Sequence, residues 1–151
     1  SGYRASPDDA YLVIRGLRTL DVRLERHEKN TKEVIKFLIK QKKIIEILYP
    51  YKKGSKNYKN WKKYYSGATG LLSLVIKSKS KNSVFKFINS LELFGIGYSW
   101  GGFESLAVYQ DIQREFKKYN SKDLHIVRLH VGLEDPKDLI LDIKNSLKYI
   151  K

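Results

Sequence analysis

The sequence His125-Ile126-Val127-Arg128-Leu129-His130-Val131, followed by the pair Asp135-Pro136, says most about the fold. β-Branched and apolar residues dominate the heptapeptide, which is typical of a strand buried over most of its length. Asp135 suits a helix N-cap and Pro136 the first helical position, and apolar residues recur at helical spacing beyond them. The stretch therefore predicts a strand and then a closing helix from about residue 136.

Similar patterns lie upstream. Leu71–Lys77 predicts a buried strand and Ile44–Tyr49 another β-rich segment, while Ser83–Leu93 has the spacing of a short amphipathic helix. Residues 52–63 are predicted to form a polar loop and residues 95–102 a turn-rich stretch, and a short helix is predicted over 111–119.

The amino-terminal part predicts long helices. Ser6 is a suitable N-cap before Pro7, and Asp8 and Asp9 favour the positive end of a helix dipole. Two apolar stripes follow at helical spacing and are predicted to lie in the core: Val13, Leu17, Leu20 and Leu24, and then Val34, Ile35, Leu38 and Ile39. The order of elements predicts one α+β domain over residues 1–151, with a small antiparallel sheet and helices packed on one face.

Composition excludes several classes of protein. The 151 residues contain no cysteine, which rules out disulfides and thiolate metal sites and favours a reducing cytoplasm. No apolar run approaches the roughly 18 residues of a membrane span, so no membrane partner is expected. Methionine is absent and the chain opens with Ser1-Gly2, which suggests a piece of a longer product.

The charge of +14 is concentrated in one segment. Residues 29–64 contain twelve lysines and two glutamates. Such a segment would suit a basic module that binds nucleic acid through residues 29–63, with Tyr49, Tyr51, Tyr58 and Trp61 as stacking surfaces. However, lysine outnumbers arginine 23 to 7, and arginine is the side chain suited to bidentate recognition of phosphates and bases. We therefore keep nucleic-acid binding only as the alternative.

The chain carries no complete catalytic set. His125 and His130 stand five apart in a predicted strand, so their side chains leave opposite faces and cannot share a metal. The glycines from Gly95 to Gly102 miss the dinucleotide fingerprint, because Trp100 stands where its third glycine belongs. Ser105 lacks the flanking glycines of a nucleophile elbow.

Two features nevertheless suit a binding site. Four glycines surround Tyr98-Ser99-Trp100, which allows unusual torsions and close approach of a ligand, although a tight turn packed into the core explains them equally well. Arg128 is a lone cation in an apolar strand. It fits either a half-solvated sheet face or a charge-assisted pair with a carboxylate.

Over nearly its whole length the chain resembles the carboxy-terminal domain of the Cys/Met metabolism family of pyridoxal phosphate (PLP) enzymes, and within it the cystathionine β-lyases. The motifs that carry this resemblance are Arg15-Gly16-Leu17-Arg18-Thr19-Leu20, Val22-Arg23-Leu24 with His27, Trp61-Lys62, Ser66-Gly67-Ala68-Thr69-Gly70-Leu71, the stretch from Tyr98 to Leu106, and that from Val127 to Asp135. Related γ-lyases and γ-synthases carry Glu-Ser-Leu in place of Tyr98-Ser99-Trp100, so the resemblance favours the β-lyase branch.

The resemblance implies roles for four residues. Arg128 would bind the α-carboxylate of the amino-acid substrate, helped by Ser99, and Tyr98 and Trp100 would form the pocket wall. The complete enzyme would cleave cystathionine to homocysteine, pyruvate and ammonia, a step in methionine biosynthesis.

The resemblance also implies that some groups of the complete enzyme are not contained in this sequence. The family's cofactor lysine lies in a Ser-x-Thr-Lys motif of a preceding large domain, and Ser78-Lys79-Ser80-Lys81 lacks the threonine. We therefore expect PLP, the large domain and homo-oligomer partners to belong to the complete enzyme. No catalytic, cofactor-binding or metal-binding residue is expected in this chain, which should be inactive alone.

Overall fold

The computed structural model describes residues 2, 4–111, 119 and 121–151. Their helices are α1 (Pro7–Leu17), α2 (Leu20–Leu38), α3 (Tyr58–Tyr64), α4 (Lys81–Asn89), α5 (Pro136–Ser146) and a 3₁₀ turn (Leu147–Tyr149). The strands are β1 (Ile44–Leu48), β2 (Leu71–Lys77), β3 (Gly95–Ile96), β4 (Leu106–Gln110) and β5 (Leu124–His130). The helix predicted over 111–119 lies mostly outside the described residues.

The strands form one sheet in the order β1-β2-β5-β4-β3. Every neighbouring pair is antiparallel except β3 and β4, which run parallel over two residues. The predicted α+β class is confirmed, but the sheet is mixed. The reason is the connection over residues 97–105, after which β4 runs beside the edge strand β3 in the same direction.

Helices cover one face of this sheet. On that face Leu74 of β2 and Val127 of β5 are opposite each other and fully buried. They belong to a single core with apolar residues of α2, α4 and α5: Val34, Leu38, Val84, Phe87, Ile88, Leu139 and Ile143. Asp135 caps α5 by accepting from Lys137 N, as the sequence predicts. The closing residues complete this core, since Ile150 is fully buried and Ser78 Oγ donates to Lys151 O at 2.7 Å.

The opposite face carries Arg128 and His130 of β5. By strand register, Arg128 lies across from Ser73 and Val108, and His130 from Leu71 and Leu106. His125 faces the core side, so the prediction that His125 and His130 leave opposite faces is confirmed. The functional candidates therefore lie on the face opposite the main core, which is covered in part, since His130 is buried against His27 of α2.

The predicted burial of the first apolar stripe is wrong. Ser6 caps α1 through a capping box with Asp9, as expected, but α1 has no buried residue. Val13 and Leu17 are 61% and 59% exposed. In the second stripe Val34 and Leu38 are fully buried, but the predicted burial of Ile39 is wrong, since it is 55% exposed just beyond the end of α2. The spacing of apolar residues identifies the apolar face of a helix but does not show which part of the protein covers that face. In this structure α1 extends beyond the core, so its apolar face is exposed.

The polar loop predicted over 52–63 is also wrong in part. Its second half forms α3, where Trp61 packs edge-on against Tyr51 at 4.5 Å and stacks on Tyr58 at 5.6 Å. The contacts of this single tryptophan stabilise a short helix rich in lysine, which shows no repeating pattern of apolar residues. Within the described part of the chain, no helix is long and apolar enough to cross a bilayer.

Candidate functional site

The loop Tyr98–Ser105, here called the aromatic loop, lies beside β5 on the face of the sheet opposite the main core. Its three aromatic side chains point away from the core: Tyr98 is 72% exposed, Trp100 65% and Phe103 67%. The alternative of a turn packed into the core is therefore wrong. Such exposure leaves a broad aromatic surface open to a ligand or to another part of a larger protein.

Arg128 reaches the beginning of this loop. The half-buried guanidinium donates through Nη2 to the carbonyl oxygens of Tyr98 and, at 3.4 Å, of Ser99. The guanidinium carbon lies 5.8 Å from the centre of the Tyr98 ring. An arginine has five N–H donors, and here one nitrogen serves the loop. The fold thus brings Tyr98, Ser99 and Arg128 together.

His130 reaches the middle of the loop from the same face of β5. Its Nε2 lies 3.2 Å from Gly101 N and 3.1 Å from Gly102 O. Gly101 has a φ of +79°, a conformation that favours glycine. Trp100 directly precedes this turn. The contacts of His130 therefore fix the position of the backbone from which the Trp100 side chain extends.

Ser105 and Glu134 fasten the end of the loop. The carboxylate of Glu134 accepts from Ser105 N at 2.7 Å and from Ser105 Oγ at 2.9 Å. Gly132 N donates to Ser105 Oγ at 2.8 Å, and Leu133 N donates to Phe103 O at 2.9 Å. From Arg128 to Glu134 the chain therefore holds the loop at its beginning, middle and end.

Helix α2 contacts residues 131–134, which follow β5 and hold the end of the aromatic loop. The Nδ1 atom of buried His27 lies 2.7 Å from Val131 O. Asn30 donates to Gly132 O at 3.0 Å and to Glu134 O at 2.8 Å. The residues that anchor the aromatic loop are themselves anchored, which gives the site a rigid base.

A cleft of about 400 Å³ lies next to Trp100, between α2 and the loop. It is lined by Leu20, Arg23, Leu24, His27, Thr69, Leu71, Trp100, Gly101 and His130. Burial is the main reason that the pKa of His130 is below its usual range, and it outweighs the contact with Gly102 O, which alone would raise the pKa. The neutral imidazole is thus the favoured form.

The residues that line this cleft do not include the cofactor lysine of a PLP site. The cleft beside Trp100 contains no lysine to take the cofactor aldehyde. Nor do the described residues bring three or more metal-ligating side chains together.

A larger cavity of about 800 Å³ lies in the lysine-rich part of the chain. Burial alone would raise the pKa of Glu28 there, but hydrogen bonds from Lys32 at 2.5 Å and Ala68 N at 3.1 Å hold it below its usual range. Tyr49, one of the proposed stacking surfaces, is buried and donates to Thr69 O. Trp61 donates to Gly67 O.

Sequence reasoning missed the contributions of His130, Ser105 and Glu134 to the loop. It singled out Arg128 because a cation in an apolar strand is unusual, and Trp100 because of its glycine-rich surroundings. The His130–Gly101 and Glu134–Ser105 contacts each join residues 29 positions apart. The motifs contain these residues, but neither spacing nor composition shows that they meet.

Comparison with known proteins identifies relatives of this arrangement. The family model described as Cys/Met metabolism PLP-dependent enzyme matches residues 1–148. The chain is 38% identical to a cystathionine beta-lyase from Bordetella avium over 97% of its own length and 37% of that protein's. It is 36% identical to an L-alanine/L-glutamate racemase from Wolbachia pipientis, again over 97% of this chain and 37% of the relative.

A solved structure gives the same match in three dimensions. The crystal structure of a protein described as an O-acetylhomoserine (thiol)-lyase from Campylobacter jejuni superposes with a TM-score of 0.82 at 30% identity. The match covers 97% of this chain and 34% of the other, which carries a pyridoxyl-lysine monophosphate. The chain thus spans between about a third and two-fifths of the length of these relatives.

Proposed function

The chain belongs to the Cys/Met metabolism PLP-dependent enzyme family, and from that membership we propose that it is the carboxy-terminal, substrate-binding domain of a cystathionine β-lyase. In the complete protein it takes the α-carboxylate of the amino-acid substrate. The observation that carries this proposal is the position of Arg128, held directly beneath the exposed Tyr98-Ser99-Trp100 segment.

The chemistry of these groups suits a carboxylate. A guanidinium forms two parallel charge-assisted hydrogen bonds with a carboxylate, and the neighbouring hydroxyl of Ser99 is a further donor. Tyr98 and Trp100 would form the wall of the pocket and exclude water from it. When bound, PLP supplies the electron withdrawal that allows the Cβ–S bond to break, while this chain binds and orients the substrate.

A second candidate is an amino-acid racemase. The similarity to the Wolbachia racemase is nearly as high as that to the Bordetella lyase. Both reactions start from an amino acid whose carboxylate must be held, so Arg128 suits either. Tyr98-Ser99-Trp100 resembles the β-lyase pattern and differs from the Glu-Ser-Leu of the γ-lyases and γ-synthases, so the lyase stays the first candidate.

A chimera tests the proposal. The Bordetella cystathionine beta-lyase is rebuilt with this chain in place of its own matching residues and is loaded with PLP. We expect the folded chimera to release pyruvate and homocysteine from cystathionine, at levels that fall when Arg128 is changed. A folded, PLP-loaded chimera without lyase activity contradicts the proposal, and racemisation of L-alanine in its place supports the second candidate.

The chain alone gives the complementary result. Mixed with PLP and cystathionine, it should release no pyruvate, because the family's Ser-x-Thr-Lys motif is not among its residues. Surface lysines can react weakly with PLP, so absorbance is not a sufficient readout. Sustained pyruvate release by a preparation free of host lyase would contradict this part of the proposal.

A further inference from the structure

We propose that His130 is a positioning residue, which together with Arg128 fixes the aromatic loop in the conformation that receives the substrate carboxylate. The functional meaning of the loop rests on the proposed function. The positioning itself follows from the contacts of the described residues. His130 touches the backbone of the loop and is not a catalytic residue.

The first argument is geometric. Arg128 and His130 are two residues apart in β5, so their side chains leave the same face about 7 Å apart along the strand. Arg128 binds the carbonyl oxygens of Tyr98 and Ser99, and His130 contacts Gly101 and Gly102. Trp100 is therefore held between two anchor points on one strand.

The second argument concerns the flexibility of the segment that His130 contacts. Two consecutive glycines, Gly101 and Gly102, have room for a Cβ atom, with no heavy atom within 4 Å of it. Packing alone therefore does not hold this turn. Glycine also has the widest range of backbone conformations, so the hydrogen bond to His130 limits a turn that is otherwise free to change.

The third argument is the immobility of the imidazole. His130 is 2% exposed and His27 1%, and their ring centres are 5.0 Å apart. A Cβ atom at Gly70 would lie 2.9 Å from the His130 ring, which shows how closely the backbone packs against it. A ring enclosed in this way cannot follow the loop when the loop moves.

The tautomer of His130 decides which of its two loop contacts is a hydrogen bond. His130 Nε2 lies 3.2 Å from Gly101 N and 3.1 Å from Gly102 O. With the proton on Nδ1, Nε2 accepts from the Gly101 N–H, and with the proton on Nε2 it donates to Gly102 O. We assign the first arrangement, because the Gly101 N–H points at Nε2. His130 Nδ1 is buried without a partner among the described residues.

Nuclear magnetic resonance of the chain tests this assignment directly. Nitrogen-15 shifts of neutral His130 are expected to show the proton on Nδ1. A proton on Nε2 would overturn the assignment of Gly101 N–H as the donor. This measurement requires no variant, so a substitution that prevents folding does not affect it.

Two matched substitutions test the positioning role. The amide group of a glutamine lies near the place of the imidazole Nε2, whereas that of an asparagine lies near Nδ1. His130→Asn should therefore speed amide hydrogen exchange at Gly101 about tenfold, which corresponds to the loss of one hydrogen bond. His130→Gln should stay within about threefold of the original rate. Equal exchange at Gly101 in the original chain and in a folded His130→Asn variant would overturn the proposal.

The chimera provides a separate functional readout. His130→Asn should raise KM for cystathionine about tenfold with a smaller change in kcat, and His130→Gln should restore KM. A loss of folding alone would lower the amount of active enzyme without this split. If the original chimera has no lyase activity, the proposed function fails, while the exchange rates and tautomer still decide the role of His130.

Discussion

At the scale of single residues, Arg128 is the group whose loss should change substrate binding most. Replacing it by glutamine in the chimera removes a charge-assisted pair, which is worth about 1.5–3 kcal/mol, so KM should rise roughly 10- to 150-fold. The change in kcat should be smaller. Steady-state kinetics with cystathionine measures both constants.

Lys144→Gln is the matched control for this prediction. It also removes one positive charge, but Lys144 is exposed on α5, among the helices on the opposite face of the sheet. KM should then be unchanged. If the two variants raised KM equally, general electrostatic attraction and not a specific pair would explain the effect.

His130 should make stability depend on pH. Burial, with smaller contributions from His27 and Arg128, lowers its pKa in the folded state, against opposing effects of Gly102 O and Glu134. The unfolded chain then binds more protons as the pH falls below about 6.5, so acid destabilises the fold. Urea unfolding at pH 7.5 and 5.5 should show a smaller loss of stability for His130→Gln than for the original chain. An identical loss in both would contradict the prediction.

The sequence identifies individual unusual residues better than it identifies their partners. Arg128 and Trp100 stand out because each differs from what surrounds it along the chain. The bond from Gly101 to His130 depends on a loop returning past a strand 29 positions away. Local patterns do not contain this information.

At the scale of secondary structure elements, the contact between the aromatic loop and the segment after β5 depends on Gly132. A Cβ atom there would lie 2.3 Å from Phe103 O and 2.4 Å from Glu134 Oε2. Gly132→Ala should therefore destabilise the fold by about 1–3 kcal/mol, the range for overpacked positions. Denaturant unfolding measures the change.

Gly102→Ala is the control, because the added Cβ meets no heavy atom within 4 Å and the residue has no positive φ. Its free energy of unfolding should stay within about 0.5 kcal/mol of the original, as for most surface substitutions. A Gly132→Ala variant as stable as Gly102→Ala would show that the loop can move away from β5 at little expense.

Two helix caps should differ in their effect on stability. Ser6 caps α1, which has no buried residue, and Ser80 caps α4, whose Phe87 is fully buried in the core. Ser80→Ala should lower the free energy of unfolding by about 1 kcal/mol. Ser6→Ala should leave it unchanged and speed hydrogen exchange only in the first turn of α1. An equal loss of global stability in both variants would mean that α1 folds together with the core.

Elements with a strong local pattern agree with their prediction. β2 has the predicted bounds, and β5 and α5 begin within one residue of theirs. α3 was missed because its amino acids are mostly polar and aromatic packing stabilises it. The exposure of α1 was missed because its apolar face resembles that of α2, which the core covers.

At the scale of the whole molecule, uncovered apolar surface should cause self-association. Val13 and Leu17 on α1 are exposed, and so are Trp100 and Phe103 on the aromatic loop. We expect the weight-average mass in sedimentation experiments to rise with concentration, and to rise more in high salt, which screens the charge of +14. The combined change Val13→Gln and Leu17→Gln should weaken this association.

Ile39→Gln is the control, since Ile39 is similarly exposed but lies just beyond the far end of α2. It should leave the association largely unchanged. A chain that stays monomeric at every concentration and salt level would show that its charge outweighs its exposed apolar surface.

The α+β architecture could be predicted because apolar residues repeat at different spacings in strands and in helices, and both spacings can be seen in the sequence. The parallel pairing of β3 could not be predicted, since a strand of two residues is too short to show an alternation of apolar and polar residues. The face of β5 that lies against the main core could not be predicted either, because β5 is largely apolar on both faces.

The strand order has a consequence for biosynthesis. β5 is the last strand along the chain, yet it lies at the centre of the sheet between β2 and β4. During synthesis on the ribosome, β2 therefore cannot pair with β5 until most of the chain has been made. Ile150 joins the core later still. Joining β2 to β5 also closes a long loop, which slows folding. The nascent chain thus exposes unpaired strand edges during translation, when a chaperone that binds extended apolar segments would protect it best.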